Sequence, residues 1–469
     1  MCVRTRTLSI IGILLLILAA VISPILYSGY ADLHSAQTAL ADKKYDEAAR
    51  LFELAATHLI WRADLWEQAG LAAYRNGNNI EAIRLLEIAH DKKSLSSQGW
   101  ETLGTAYWGN SDHQMALTIW QEGSQSYPSD VVLYDRLALV YHENGDYASE
   151  QKVLVKRLSL ASDASAHYEL GLLLTLSDSD RAVTELESAS SMDPQFDSAV
   201  QTLQAAIAVS DTESDPAKRF IAIGRGLGLV EEWGLAQNAF EKAVSANAKN
   251  AEAWAWLGEA RQQNGQDGSD DLNQALAVNS NDAIVHALRG LYWKRQGNNI
   301  QALTEYLQAA QIEPDNPAWQ VSVGDAYTKT GDLVSALAAY QKATQLVPND
   351  ATYWRLLAMF CLDNDLYILE IGLPAAKQAA QLAPNDPQTL DVLGWSYSNA
   401  GLLYNAEQNL RHAIKLSPDL AIAHLHLAEN YLRQGDNTSA FNELNLTVQL
   451  DKDGTSGQSA AQILNQYFP

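Results

Sequence analysis

One spacing constrains this chain more than any other feature: within each of two long series, a residue with little or no side chain returns every 32 to 36 positions. It stands at Gly70, Gly104, Ala138 and Gly171, and again at Gly224, Gly258, Gly290, Gly324, Ala358, Gly394 and Ala428. A second series keeps step: Ala48, Ala82, Ala116, Ala236, Ala302, Ala336, Ala406 and Ala440, each followed four residues later by Phe52, Leu86, Trp120, Phe240, Tyr306, Tyr340, Leu410 or Leu444. A period of this size argues for one small unit stacked on copies of itself. Within a unit, residues such as Trp100, Gly104 and Tyr107 fall at i, i+4 and i+7, which is one face of an α-helix. The missing Cβ lets a partner helix approach closely, and bulky neighbours fill the space around it. Turns such as Asn144-Gly145-Asp146 and Thr330-Gly331-Asp332 reverse the chain, with glycine supplying positive φ at the helix end. Pro128, Pro194, Pro314, Pro348, Pro384 and Pro418 close units where a helix has to stop. The chain therefore reads as all-α.

Residues 100–128, WETLGTAYWGNSDHQMALTIWQEGSQSYP, follow the pattern W-x2-L-G-x2-Y, then A-x3-aromatic, then P. The positions are Trp100, Leu103, Gly104, Tyr107, Ala116, Trp120 and Pro128, and the pattern closely resembles the tetratricopeptide repeat (TPR). The resemblance implies a right-handed α-solenoid of about twelve TPR helix hairpins, the first a degenerate one around Ala36, Ala48, Phe52 and Ala55. A single hairpin cannot bury its apolar stripe, so stability should come from contacts between neighbouring units. The register slips once, where FDSAVQTLQAAIAVS supplies a helix without a second one and DTESDP follows. The expected division is a first TPR block at 31–194, an extra helix and linker at 195–216, a second TPR block at 217–454 and a C-terminal capping helix at 455–469.

Residues 8–30, LSIIGILLLILAAVISPILYSGY, carry no charge over 23 positions. About 20 apolar residues suffice to cross a bilayer as a helix. Arg4 and Arg6 lie in the short tail 1–7, and the first Lys residues after the segment are Lys43 and Lys44. The bias of Lys and Arg toward the cytoplasm then predicts a transmembrane signal anchor, with the N-terminus cytoplasmic and the TPR domain extracytoplasmic. The segment exceeds the apolar core of about 7–15 residues usual in a cleavable signal peptide. Gly29-Tyr30-Ala31 nevertheless offers small residues for the alternative, a secreted or periplasmic binding protein released by cleavage.

Lys and Arg total 32 against 56 Asp and Glu, a formal charge of −24. Such a surface repels phosphate backbones and argues against nucleic acid as a partner. Cys2 and Cys361 leave no disulfide framework. The ten histidines are dispersed, and the close pair His424 and His426 is spaced i, i+2, on different helix faces. There is no HExxH, GxSxG or P-loop sequence. Gly224, Gly226 and Gly228 form a GxGxG, but no strand precedes it as a dinucleotide loop requires. Asp451-Lys452-Asp453-Gly454 opens like a calcium loop but places Gln462 where a bidentate Glu is needed. The expectation is a non-enzyme with no catalytic residue, cofactor, metal or small-molecule substrate.

The TPR resemblance implies that the first helix of each unit lines a concave groove through positions 5, 9 and 12. In units two to four, position 5 is Glu67, Glu101 and Asp135, and position 12 is Tyr74, Trp108 and His142. An acidic row beside an aromatic row predicts a peptide-binding groove for a basic, extended segment of another protein, with cation–π contacts of about 0.5–2 kcal/mol each. Some TPR domains clamp a C-terminal carboxylate with Lys at position 5 and Asn at position 9. Here the basic residue at position 5 is Arg355 with Met359 at position 9, so that function is not expected. The sequence as a whole predicts a membrane-anchored TPR scaffold for protein–protein interactions in the assembly of cell-envelope proteins. The alternative of a different class is a regulatory subunit of an envelope enzyme such as a glycosyltransferase.

Overall fold

The computed structural model describes residues 23–468, and every regular element among them is helical. The chain divides into two compact units. One takes the described residues through Ser214 together with Ala222–Ala239, and the other takes Asp215–Ile221 and the chain from Phe240 onward.

In the first unit the helices follow in pairs: α1 (23–41) and α2 (Tyr45–His58), α3 (Asp64–Arg75) and α4 (Asn79–Asp91), α5 (Ser97–Gly109) and α6 (His113–Ser126). Next come α7 (Val131–Glu143) and α8 (Tyr147–Leu158), α9 (Ala164–Leu174) and α10 (Ser179–Met192), then the single helix α11 (Asp197–Thr212). The two units share α12 (Pro216–Leu229) and α13 (Trp233–Ala246). The second unit continues with α14 (Ala251–Gln263) and α15 (Ser269–Val278), α16 (Ala283–Arg295) and α17 (Asn299–Ile312), α18 (Pro317–Thr330) and α19 (Leu333–Leu346). It ends with α20 (Ala351–Asp363) and α21 (Leu373–Leu382), α22 (Pro387–Asn399) and α23 (Leu403–Leu416), α24 (Ala421–Gln434) and α25 (Asn437–Leu450), and the single helix α26 (Thr455–Tyr467).

The recurring small residues do the packing that their spacing implies. A Cβ on Gly104 would lie 2.3 Å from the indole nitrogen of Trp120, a fully buried side chain of the partner helix. In the second unit a Cβ on Gly394 would lie 2.5 Å from Cγ of Leu410. Turn chemistry is equally regular. Asp112 accepts from Met115 N at 3.1 Å to cap α6, and Asp332, following Gly331 at φ 87°, accepts from Ser335 N at 3.0 Å to cap α19. One hairpin departs from the pattern: Asp365 and Tyr367 take positive φ, and a π turn over Ile368–Gly372 leads into α21. The free thiol of Cys361 is buried beside this turn and pushed up to about 11 by that burial.

The structure corrects the membrane-spanning assignment. Among the described residues no helix is long and apolar enough to cross a membrane. Residues 23–30 of the supposed span belong to α1, which serves as the first helix of the first hairpin. Leu26 packs against the core cluster that includes Leu33, Ala36 and Phe52, and a Cβ on Gly29 would lie 2.8 Å from Cβ of His58 at the end of α2. Asp32 then ties α1 to His58 at 3.1 Å. Leu26 and Gly29 form the packing face at that end of the segment while Ile25, Tyr27 and Tyr30 are exposed, and the extracytoplasmic single-pass placement built on a span over 8–30 falls with the missing span. Residues 1–7 and 8–22 lie outside the described residues.

Candidate functional site

The first unit contains a cleft of about 520 Å³ built by α7, α8, α9 and the start of α13. Helix α7 begins where Asp130 accepts from Val132 N at 2.9 Å, and it turns Leu133, Leu137 and Val140 into the core. Its opposite face carries Asp135, Leu139 and His142 at i, i+4 and i+7, and these line the cleft. Helix α9, capped by Asp163 on Ala166 N at 3.0 Å, brings Ser165, Tyr168, Glu169 and Leu172 to it by the same geometry. Helix α8 contributes Glu150 and Arg157, and Glu232 comes from the turn before α13.

The charges in the cleft do not balance. Glu150 is 2% exposed, and its two oxygens accept from Nδ1 of His142 at 3.0 and 3.2 Å. The other nitrogen of His142 lies 3.8 Å from Glu232. Arg157 donates to Asp135 at 2.8 Å, pairs with Asp163 and donates to the Ala161 carbonyl at 2.8 Å, so its guanidinium is fully engaged. Glu169 accepts from the Ser165 hydroxyl at 3.2 Å. The lining thus holds five carboxylates against Arg157 and His142.

Proton affinity follows that imbalance. Hydrogen bonding to Glu150 raises the His142 pKa above the usual imidazole value; burial opposes the rise, and the charges of Glu150, Glu232 and Glu169 add to it. Burial raises the carboxyl of Glu169, helped by the charge of Glu150 and opposed by Ser165 and His142. Burial likewise raises Glu232, with Glu150 adding and His142 opposing. The phenol of Tyr168 is pushed up to about 12 by burial and the charge of Glu232. All four groups hold protons more tightly than they would in water, chiefly through burial for the two carboxyls and the phenol and through the bond to Glu150 for the imidazole, with the neighbouring negative charges adding to each.

The six residues singled out from the sequence have separate fates. Asp135 and His142 line the cleft. Glu67 is 4% exposed and accepts from the backbone nitrogen of Ser96 at 3.0 Å and from the Ser96 hydroxyl, which fastens one hairpin to the start of α5. Glu101 is engaged by Arg136 at 3.0 Å. Tyr74 packs against the first core cluster, and Trp108 lies against His113 with ring centroids 3.9 Å apart. Sequence reasoning did not single out Glu150, Arg157, Glu169 or Glu232. The stripe at positions 5 and 9 was a usable signal: carried one unit further, it reaches Tyr168 and Leu172, both in the cleft wall.

With this geometry established, comparisons with known proteins can be placed. Residues 279–463 match the family profile of the C-terminal TPR domain of cilia and flagella-associated protein 70. No curated protein matches the chain. Among solved structures, yeast Tom70 is 14% identical with a TM-score of 0.42, over 93% of this chain and 95% of that one. The Cut9–Hcn1 hetero-tetramer of the APC/C is 15% identical with a TM-score of 0.40, over 96% and 93%. MamA from Desulfovibrio magneticus RS-1 is 23% identical with a TM-score of 0.32, over 36% of this chain and 94% of that one. TM-scores this low support no residue-by-residue correspondence. The chain is a TPR-like all-α helical repeat, and its binding chemistry has to come from its own residues.

Proposed function

We propose that this protein is a repeat scaffold that holds another protein, and that the cleft between α7, α8 and α9 receives a Lys or Arg side chain from an extended segment of that partner. The observation that carries this reading is the surplus of carboxylates over an apolar lining. Glu169 is held by a serine, and the imidazole that lies 3.8 Å from Glu232 is already bonded to Glu150. An arriving guanidinium or ammonium would offset the charge that burial and the neighbouring carboxylates make costly here, and a hydrogen bond to a charged group is worth about 1.5–3 kcal/mol. The aliphatic stem of such a side chain matches Ala138, Leu139, Leu172 and Leu235 in the same wall. The reading is one of binding because each candidate for chemistry is already engaged: Ser165 donates to Glu169, and His142 is bonded to Glu150.

A peptide-display selection against the full chain tests this. The expected result is enrichment of extended sequences with Lys or Arg beside an apolar residue, and loss of that enrichment with Glu169→Gln/Glu232→Gln. Selection of acidic or uncharged sequences, or the same winners with the double variant, would overturn the proposal.

A further inference from the structure

At the end of α4, well apart in sequence from the cleft residues, Glu87, His90 and Asp91 stand at i, i+3 and i+4, which sets the three side chains on one helix face. The imidazole of His90 is held from two sides. Its Nε2 lies 3.2 Å from Oε2 of Glu122 on α6, and its ring meets Trp100 edge-on with centroids 4.9 Å apart. In the neutral tautomer whose Nε2 donates to Glu122, the other nitrogen, Nδ1, carries a lone pair. That Nδ1 is buried and has no hydrogen-bond partner. It faces Oε2 of Glu87 at 3.9 Å and Oδ1 of Asp91 at 4.0 Å. Glu87 is itself oriented, because the Tyr107 hydroxyl donates to its other oxygen, Oε1, at 2.8 Å.

A buried lone pair facing two carboxylates is electrostatically unfavourable unless a cation sits between them. We propose that Glu87, His90 and Asp91 bind a divalent transition metal ion of the zinc class, with Glu122 and Tyr107 as the groups that orient the ligands. The three ligand atoms lie within 4.8 Å of one another. Zinc bonds of about 2.0–2.2 Å in tetrahedral geometry place ligand atoms roughly 3.3–3.5 Å apart, so the imidazole–carboxylate separations of 3.9 and 4.0 Å close by about half an ångström and the two carboxylates, within 4.8 Å, by up to about 1.3 Å. The carboxylates can make that movement by rotation, since Asp91 is largely exposed. An imidazole nitrogen with two carboxylate oxygens suits zinc and its neighbours in the first transition row, whereas calcium and magnesium prefer oxygen alone. A carboxylate on the far nitrogen of a metal-bound histidine is the usual way its tautomer and ring orientation are fixed. Access is provided by an adjoining cleft lined by His90, Asp91, Lys93, Trp100 and Tyr127. Three protein ligands leave a fourth position for water or for a side chain of another molecule.

The test is a calorimetric titration of the full chain with Zn²⁺, combined with NMR of the imidazole nitrogens. The expected result is one equivalent taken up with a shift of the His90 Nδ1 resonance, and loss of that equivalent with His90→Gln. Asp91→Asn changes an exposed side chain and should leave the fold intact, yet it should also weaken uptake. Glu122→Gln, which removes an orienting group, should weaken it roughly 10–100-fold. Uptake that is unchanged in His90→Gln and Asp91→Asn would overturn the site. So would an imidazole protonated on both nitrogens that ignores Zn²⁺, which would make His90 an ion-pair partner of the two carboxylates.

Discussion

The hairpin of α16 and α17 in the second unit and the α7–α9 region of the first both set a histidine beside a glutamate, yet they do so to different ends. His286 gives Nδ1 to Glu305 at 2.6 Å and Nε2 to the Ser280 carbonyl at 3.1 Å, while Arg289 holds the other oxygen of Glu305 at 3.0 Å. One carboxylate is met by two cations. The arrangement recurs at His424, bonded to Glu443 at 2.6 Å and to the Pro418 carbonyl at 3.0 Å, so it belongs to the repeat as a clasp between the two helices of a hairpin. In the cleft the ratio is reversed, with five carboxylates sharing Arg157 and His142. Saturated charge stabilises the hairpin, and on the proposed reading the unsaturated charge is what a partner would meet.

The largest effect expected from that contrast comes from breaking a saturated pair in the second unit. His426 and Asp391, bonded at 2.9 Å, are 6% and 3% exposed, and the histidine ring stacks on Trp395 with centroids 4.4 Å apart. His426→Ala strands a buried carboxylate and should cost about 3–5 kcal/mol, read as a lowered denaturation midpoint and faster amide exchange in α22 and α24. A smaller loss, equal in the two units, is expected from Asp112→Ala and Asp332→Ala, which each remove a helix cap worth about 1 kcal/mol. Urea denaturation checks whether the two losses match; a clear inequality would mean that the units differ in more than their charge balance.

The smallest effects lie in pH dependence, and there the two regions diverge in form. The pKa of Glu305 is lowered: burial pushes upward most strongly, but His286 and Arg289 together outweigh it. Its contribution is present above the usual carboxylate range and lost as pH falls through the lowered value. The pKa of His286 is raised, chiefly by its bond to Glu305, so its contribution is present below the usual imidazole value and lost as pH rises through the raised one. The clasp is therefore fully effective between roughly pH 4.5 and 6.5. In the cleft the carboxyls of Glu169 and Glu232 are raised, so their contribution is present at acid pH and lost as pH rises. Glu169→Gln should make the protein more stable than wild type at pH 7 and leave it unchanged near pH 4, whereas Glu305→Gln should destabilise it at pH 6. Chemical denaturation at these pH values decides the signs, and a loss of stability at pH 7 for Glu169→Gln would make the cleft a structural feature like the clasp.

Much of the packing was legible because it depends on residues close in sequence. Gly104 against Trp120 and Gly394 against Leu410 follow from a spacing of sixteen residues within one hairpin. The described end of the N-terminal segment misled because apolar residues read the same whether they meet lipid or another helix; Leu26, Gly29 and Leu33 are spaced for packing on α2. The partner of Glu67 was not legible: Ser96 lies 29 residues away on the next unit, and a repeat pattern records which face a residue occupies but not what it bonds to. Glu150, Glu169 and Glu232 come from α8, α9 and the turn before α13, and only the fold shows that they converge on His142. The sequence Glu87-Ile88-Ala89-His90-Asp91 carried metal-ligand spacing in plain view, but what gives it weight is the buried, unpartnered Nδ1.

The most direct test of the central claim is calorimetric binding of a short Arg-containing extended peptide to the full chain, wild type against Glu169→Gln/Glu232→Gln, at two salt concentrations. The account predicts saturable binding that weakens with salt and falls about ten- to a hundred-fold in the double variant. Equal affinity of the two proteins for the peptide, or the same affinity at both salt concentrations, would contradict it.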